Sequence, residues 1–162
     1  MIVNLSATIA AEPAIVYGYL TDPARYVRWM GTTATLDPEP GGAYRVRMAD
    51  GFEAVGTFLD VQPPRRLSFT WGWAPGSGRR VLSGGQRDDT LPPGSSRVSI
   101  ALDPQGRRTR VTLQHDGLPT LELVDNHRIA WRTYLGRLRV CAEGGDPGPD
   151  PHTGPTTGAP TP

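Results

Sequence analysis

Lysine is absent from this chain, whose 17 basic residues are all arginine. The absence excludes mechanisms that need an amine, namely Schiff-base formation, a phosphate-loop lysine and a Ser-x-x-Lys pair. Because 16 acidic residues oppose the arginines, the formal net charge is only +1. Binding to nucleic acids or anionic membranes needs a marked excess of cations, which replace the counterions of the phosphates. We therefore expect neither partner.

Cysteine and long apolar runs are also scarce. Cys141, the single cysteine, has no partner for an internal disulfide, and no segment approaches the roughly 20 apolar residues of a membrane helix. The chain opens on a strand pattern at Val3 with no charged leader, so we expect a cytoplasmic protein. The all-arginine basic set and the abundant Ala, Gly and Pro indicate a GC-rich bacterial source.

We predict neither a metal site nor a cofactor. The histidines at 115, 127 and 152 and the cysteine at 141 lack the close pairs that are typical of zinc sites. The glycine-rich run 76–81 superficially resembles a dinucleotide loop, but Val81 stands where the third glycine should be, and no parallel βαβ unit surrounds it.

The hydrophobic periodicity predicts one α+β domain over residues 1–143. Residues 3–9 alternate as a strand does, Pro13 begins a short helix, and Asp22 caps a second helix that starts at Pro23 and ends near Trp29. Short connections imply antiparallel pairing with one buried face. Further strands are predicted at 43–48, 52–61, 66–73, 97–103 and 108–116, separated by turn signals such as Asp50-Gly51 and the run 103–106.

A helix of about six turns is predicted over 119–141, because apolar residues recur there in steps of three and four. The predicted buried stripe comprises Leu121, Val124, Arg128, Trp131, Leu135 and Leu138. Arg128 is its unusual member. Its guanidinium could pair with a ligand carboxylate or phenolate, or its head could reach water and pair with Glu122 or Asp125.

Two segments lack the hydrophobic periodicity of strands and helices. The stretch 74–96 is rich in Gly, Ser and Pro but carries Val81, Leu82 and Leu91, which fits either a lid over a ligand or a flexible insertion. Residues 144–162 hold six Pro, five Gly and one apolar side chain, Ala159. Because so little apolar surface could be buried there, we predict a disordered tail in which His152 is inert.

Short sequence pieces follow one another in a characteristic order. They are PAIVY at 13–17, LTDP at 20–23 with Trp29, PGGAYR at 40–45, PPRRLSFTW at 63–71, SRV at 96–98, TRVTLQH at 109–115, and His127 four residues before Trp131. In this order, over residues 3 to about 140, the chain resembles the START-like superfamily (SRPBCC), and within it the homologues of the activator of Hsp90 ATPase. Ala130 stands where the family usually has Gly before the helix Trp.

The resemblance implies a helix-grip fold, a curved antiparallel sheet wrapped around a long C-terminal helix, with a small-molecule cavity between them. The ligand-binding candidates are Trp29, Phe58, Phe69, Trp71, Trp73, His127, Arg128, Trp131 and Tyr134. Each aromatic ring could instead fill the core. His127 could orient a ligand carbonyl, act as an acid or base, or be structural, and His115 is expected in a turn.

We predict that the chain binds a small hydrophobic or amphipathic molecule and has no identifiable catalytic residue. Two alternatives stay open: an enzyme like the polyketide cyclases and aromatases of the superfamily, or a co-chaperone acting on an Hsp90-type chaperone, as the family name implies. A polar cluster around His127 would favour the enzyme, and an apolar patch on the outer face of the sheet would favour the co-chaperone.

Overall fold

The computed structural model of the chain describes residues 1–75 and 91–152. Within them lie seven strands and three helices, all connected in the order expected of a helix-grip fold. The elements are β1 (Ile2–Ile9), α1 (Pro13–Thr21), α2 (Pro23–Trp29), β2 (Thr33–Leu36), β3 (Ala43–Arg47), β4 (Glu53–Gln62), β5 (Arg66–Trp73), β6 (Ser96–Gln105), β7 (Arg108–Asp116) and α3 (Leu121–Ala142).

The strands form one antiparallel sheet in the order β1-β7-β6-β5-β4-β3-β2. From β2 to β7, strands that are adjacent in the sheet are also consecutive in the chain, whereas β1 pairs with β7 and sets Leu5 opposite Leu113. A register shift between Phe58 and Asp60 interrupts the β4–β5 pairing, and such bulges bend a sheet. The curved sheet and the long C-terminal helix confirm the predicted helix-grip fold.

Prolines and polar caps determine where the helices begin. Pro13 and Pro23 occupy the first turns of α1 and α2. Backbone N–H groups in a first turn have no acceptor within the helix, so a proline there costs no hydrogen bond. The Asp22 carboxylate accepts a hydrogen bond from the Ala24 N–H at 3.0 Å, as predicted. The Thr120 hydroxyl caps α3 in the same way, accepting from the Leu123 N–H at 3.1 Å.

Alternate side chains of the sheet are buried against the helices, which is the pattern that the period of two predicts. The buried residues of β3, β5, β6 and β7 include Tyr44, Val46, Leu67, Phe69, Trp71, Trp73, Val98, Ile100, Leu102, Val111 and Leu113. The helix α3 lies on their common face, which carries the rings of Tyr44, Phe69, Trp71 and Trp73.

Two members of the predicted buried stripe of α3 are not buried in the structure. Leu121 is 70% exposed, and the side chain of Arg128 is 39% exposed. A step of three from Val124 leads to His127, and the next step of four leads to Trp131, so Arg128 falls beside the stripe. The buried residues of α3 are Leu123, Val124, His127, Trp131, Tyr134, Leu135, Arg137, Leu138 and Cys141.

Two local features of the sheet were not predicted. The four-residue strand β2 pairs with β3 and sets Leu36 opposite Tyr44; so short a strand is specified by its partner more than by its own periodicity. The turn between β6 and β7 also lies later than the run 103–106, because β6 continues to Gln105. Gly106, at φ 63°, then supplies the left-handed backbone that the turn needs.

The described end of the stretch 74–96 is packed into the domain. Leu91 is buried, and its carbonyl accepts a hydrogen bond from the Trp73 N–H at 2.8 Å. A Cβ on Gly72 would lie 2.0 Å from the Pro92 carbonyl oxygen, so this close approach requires glycine. Leu91 is therefore a core residue and not part of a lid, while Val81 and Leu82 lie outside the described residues.

The prediction of a disordered tail is wrong for residues 144–152, which we call the C-terminal segment. After α3 the chain reverses at Gly144, and the Arg137 guanidinium donates hydrogen bonds to the carbonyls of Pro147 and Gly148, at 2.9 and 2.8 Å. The prediction weighed apolar burial alone, whereas hydrogen bonds from the rest of the domain hold the segment. Residues 153–162 lie outside the described residues.

Candidate functional site

A cavity of about 320 Å³, partly open to solvent, lies between β5, α3 and the C-terminal segment. Its volume falls at the lower end of the roughly 300–1,000 Å³ that is usual for small-molecule sites. The residues that line it are Met30, Met48, Trp71, Trp73, Asn126, His127, Ile129, Ala130, Trp131, Thr133, Tyr134, Pro151 and His152. Among the predicted candidates, the structure thus brings together Trp71, Trp73, His127, Trp131 and Tyr134.

Three predicted aromatic residues lie in the core instead of at the cavity. The Trp29 indole N–H donates to the Tyr19 carbonyl at 2.8 Å. Phe69 stacks on Tyr44 with ring centroids 4.0 Å apart, and Phe58 meets Phe69 edge to face at 5.9 Å. These rings fill the space between the sheet and the two short helices, which is the packing role that the sequence had left open.

Arg128 does not line the cavity. Its Nη1 lies 2.8 Å from Asp125 Oδ1, one turn away on the exposed side of α3. This is the surface pairing given above as the alternative to a role in ligand binding. As a result, the part of the lining that the structure describes contains no Asp, Glu or Arg side chain.

Tryptophan rings form one wall of the cavity. Trp71 and Trp73 are two residues apart on β5 and therefore share a face. The Trp71 ring lies 5.2 Å from that of Trp131 and 5.4 Å from that of Trp73, in tilted and edge-on arrangements that suit the quadrupoles of the rings. The Trp71 Nε1 atom is buried, and no described residue accepts a hydrogen bond from it.

A chain of buried hydrogen bonds joins two of these tryptophans. An indole N–H can only donate, so Trp131 donates to His115 Nδ1 at 3.0 Å. The proton of the neutral His115 ring must then be on Nε2, which donates to Ser96 Oγ at 2.8 Å. The Ser96 hydroxyl in turn donates to the Trp71 carbonyl at 2.7 Å. The expected turn role of His115 is thus wrong, because this ring organises the wall.

Burial holds His115 in its neutral form. The residue is fully buried, and this burial, with a smaller contribution from the charge of His127, lowers the pKa of His115 to about 2. A protonated ring would also turn Nδ1 into a donor facing the Trp131 N–H donor. His115 therefore acts as a fixed hydrogen-bonding element of the core.

His127 reaches the cavity from α3 with a defined orientation. Its Nδ1 lies 2.7 Å from the Leu123 carbonyl, and because a carbonyl only accepts, Nδ1 carries a proton. In the neutral ring the lone pair is consequently on Nε2. The imidazole centroid is 5.1 Å from that of His115 and 6.4 Å from the Trp73 ring. An imidazole held in this way can accept a hydrogen bond or exchange a proton.

The C-terminal segment contributes Pro151 and His152 to the lining. The His152 ring lies parallel to that of Phe52, with centroids 6.0 Å apart, and its Nε2 is 3.6 Å from Asp50 Oδ2. The prediction that His152 is inert does not agree with this position. No sequence signal could have found it, because the segment has no hydrophobic period.

The helix residues at the cavity mouth were also missed, although a signal for them exists. Asn126, Ile129, Ala130 and Thr133 line the cavity, and their spacing of three, four and seven places them on one face of α3 beside His127. A search restricted to large aromatic residues overlooks such positions. Within residues 1–75 and 91–152, no group of three His, Cys, Asp or Glu side chains could hold a metal ion, and no helix is long and apolar enough to cross a membrane.

The comparisons with known proteins concern both the family and the fold. A model of the family of activator of Hsp90 ATPase homolog 1-like proteins matches residues 10–143. Among curated proteins, none matches the sequence. An AHSA1-like protein from Rhizobium etli is 40% identical, over 98% of this chain and 92% of that one, with a TM-score of 0.67.

Two more distant structures share the fold alone. CalU16 from Micromonospora echinospora is 22% identical, over 88% of this chain and 76% of its own, with a TM-score of 0.65. An HSP90 activator from Plasmodium falciparum is 16% identical, over 87% of this chain and 95% of its own, with a TM-score of 0.64.

Proposed function

We propose that this chain, which belongs to the family of activator of Hsp90 ATPase homolog 1-like proteins, binds a small, uncharged and largely aromatic molecule in the cavity between β5 and α3. One observation carries the proposal: three indole rings and one phenol surround about 320 Å³, and the described lining contains no Asp, Glu or Arg side chain. Aromatic walls offer a flat ligand a large apolar contact area.

The buried Trp71 N–H supports a ligand that carries an oxygen acceptor. No described residue accepts a hydrogen bond from this group, and an unsatisfied buried donor costs about 1–3 kcal/mol. A carbonyl or ether oxygen of the ligand that met this N–H, after a shift of the Trp71 ring, would remove that cost. The polar side chains of the lining, His127 among them, would then orient the molecule in the cavity.

The arrangement of the arginines disfavours an anionic ligand such as a fatty acid. A carboxylate in a largely apolar cavity needs a cation beside it. Arg128 is paired with Asp125 at the surface, and the Arg137 guanidinium donates to three backbone carbonyls. Neither guanidinium is therefore offered to a ligand, and we expect an uncharged one.

The binding of a neutral fluorescent probe tests this function. N-phenylnaphthylamine should bind saturably and accept excitation energy from the tryptophans of the wall, whereas a dansylated fatty acid should bind more weakly. Ala130→Phe adds a ring at the cavity mouth and should weaken probe binding at least about tenfold. Leu121→Phe is the matched control, because Leu121 is 70% exposed on the same helix and does not line the cavity. Absence of saturable binding, or equal effects of the two variants, would count against the proposal.

An enzyme of the polyketide cyclase type is a second candidate, and the orientation of His127 favours it. With Nδ1 bound to the Leu123 carbonyl, the neutral ring has its basic nitrogen on Nε2, which is suited to removing a proton from a bound substrate. The test is the molecule recovered from the purified protein. Conversion of that molecule by the wild type, but not by His127→Gln, would favour the enzyme over a carrier.

The outer face of the sheet gives the co-chaperone alternative little support. Among the described strands, the exposed large apolar residues are Ile2 on β1 and Leu59 on β4, and three strands separate β1 from β4 in the sheet. A docking surface for another protein usually presents a contiguous apolar patch. We therefore rank binding of a small molecule above binding of a chaperone.

A further inference from the structure

A buried arginine holds the middle of the C-terminal segment. Arg137 lies on α3 and is only 9% exposed. Its guanidinium donates to the carbonyls of Trp29, Pro147 and Gly148 at distances between 2.8 and 2.9 Å. The three hydrogen bonds therefore connect the segment both to α3 and to the end of α2. They are charge-assisted, and such bonds are stronger than neutral ones.

Asp150 and the turn after β3 hold the end of the segment. One Asp150 oxygen accepts from the Tyr134 hydroxyl at 2.6 Å, and the other accepts from the Ala49 N–H at 2.9 Å. The Asp50 N–H donates to the His152 carbonyl at 3.0 Å. The backbone on both sides of Pro151 is therefore anchored to the domain.

These anchors place the segment between two spaces. Pro151 and His152 line the cavity, and the His152 ring packs against Phe52 and Trp73, with centroids 6.0 Å from each. Four preceding residues of the segment line a more open space of about 370 Å³, namely Asp146, Gly148, Pro149 and Asp150. Among residues 1–75 and 91–152 none lines both spaces, and residues of the segment line each of them.

From this placement we infer that the C-terminal segment is a fixed wall of the binding site and that His152 is a specificity-determining residue. The inference rests on the proposed function. A fixed wall limits the size of the ligand, and the anchored His152 ring defines where the ligand ends. The family match stops at residue 143, so this wall is formed by residues that lie outside the matched region.

Two substitutions in the full chain test separately the anchoring of the segment and the contribution of its His152 ring. Asp150→Ala removes the hydrogen bonds to Tyr134 and Ala49 without changing a residue that lines the cavity. His152→Ala removes the ring while keeping the backbone hydrogen bond. Asp125→Ala is the matched control, because Asp125 is an exposed carboxylate on α3 that pairs with Arg128.

The experiment measures two quantities for each protein. The first is amide hydrogen exchange at Ala49 and Asp50, whose N–H groups bond to the segment. The second is the ratio of the dissociation constants of a small neutral probe, naphthol, and a larger neutral probe, Nile red. We expect Asp150→Ala to lose protection at Ala49, and both Asp150→Ala and His152→Ala to shift the ratio toward Nile red at least about fivefold, with Asp125→Ala unchanged.

Each contrary outcome has a separate meaning. If the wild type binds both probes and the two variants keep its ratio, the segment is not part of the site and the inference is wrong. If Ala49 and Asp50 exchange freely in the wild type, the segment is not docked and the inference is also wrong. If these amides are protected but neither probe binds, the proposed function fails and the inference fails with it.

Discussion

Lowering the pH from about 7 to about 5 should cost the folded state about 2 kcal/mol through His115 alone. The ring is fully buried, accepts from the Trp131 indole and donates to Ser96. Burial lowers the pKa of His115 in the folded chain to about 2. The folded protein therefore does not bind a proton at this site anywhere in that pH range.

The magnitude follows from the difference in proton binding between the two states. In the unfolded chain His115 has its ordinary pKa of about 6.5 and takes up a proton below that pH. The unfolded state is thereby favoured as the pH falls from about 6.5 toward 2, by about 1.36 kcal/mol for each pH unit. Over the roughly 1.5 units down to pH 5 the loss is about 2 kcal/mol.

Urea denaturation of the wild type and of His115→Gln at both pH values measures this loss. Glutamine offers one acceptor and one donor group but does not titrate, so the wild type should lose about 2 kcal/mol more than the variant between the two pH values. Equal losses in the two proteins would refute the reasoning. Should His115→Gln fail to fold, the imidazole carbon shifts of His115 give the same answer: a neutral ring at about pH 5 agrees, and an imidazolium contradicts it.

Three further substitutions test other parts of the structure by their free energies of unfolding. Trp131→Ala should cost roughly 3–5 kcal/mol, because the buried ring leaves a void; a loss below about 1 kcal/mol would mean that the ring packs loosely. Arg137→Met should cost at least about 2 kcal/mol through lost charge-assisted hydrogen bonds, and an unchanged stability would mean that the C-terminal segment is not clamped. Arg128→Ala should change the free energy of unfolding by no more than about 0.5 kcal/mol, since its pair with Asp125 is at the surface. A larger loss would mean that the Arg128 side chain is buried in the folded protein.

The sequence was most informative where structure is decided locally. The alternation in β5 placed Trp71 and Trp73 on one face, and both rings line the cavity. Asp22 and Pro23 predicted the start of α2 correctly, because a cap needs only neighbouring residues. The family resemblance added that a curved sheet wraps around the long C-terminal helix, which no local pattern contains.

The remaining features depend on contacts between distant residues. His115 bonds to partners 16 and 19 positions away, so its environment cannot be read from its place at a strand end. The C-terminal segment is held by backbone carbonyls and by Asp150, which a count of apolar residues does not detect. Arg128 was misplaced because steps of three and four are both allowed on a helix face, and only packing chooses between them.

The indole N–H signals in a proton–nitrogen NMR spectrum test the central claim most directly. The chain has four tryptophans, of which Trp71, Trp73 and Trp131 line the cavity, whereas the Trp29 N–H bonds to the Tyr19 carbonyl in the core. On titration with N-phenylnaphthylamine, we predict that the three cavity signals shift saturably and with one common affinity while the Trp29 signal stays in place. No shift in any signal, or a shift largest at Trp29, would contradict a ligand site in this cavity.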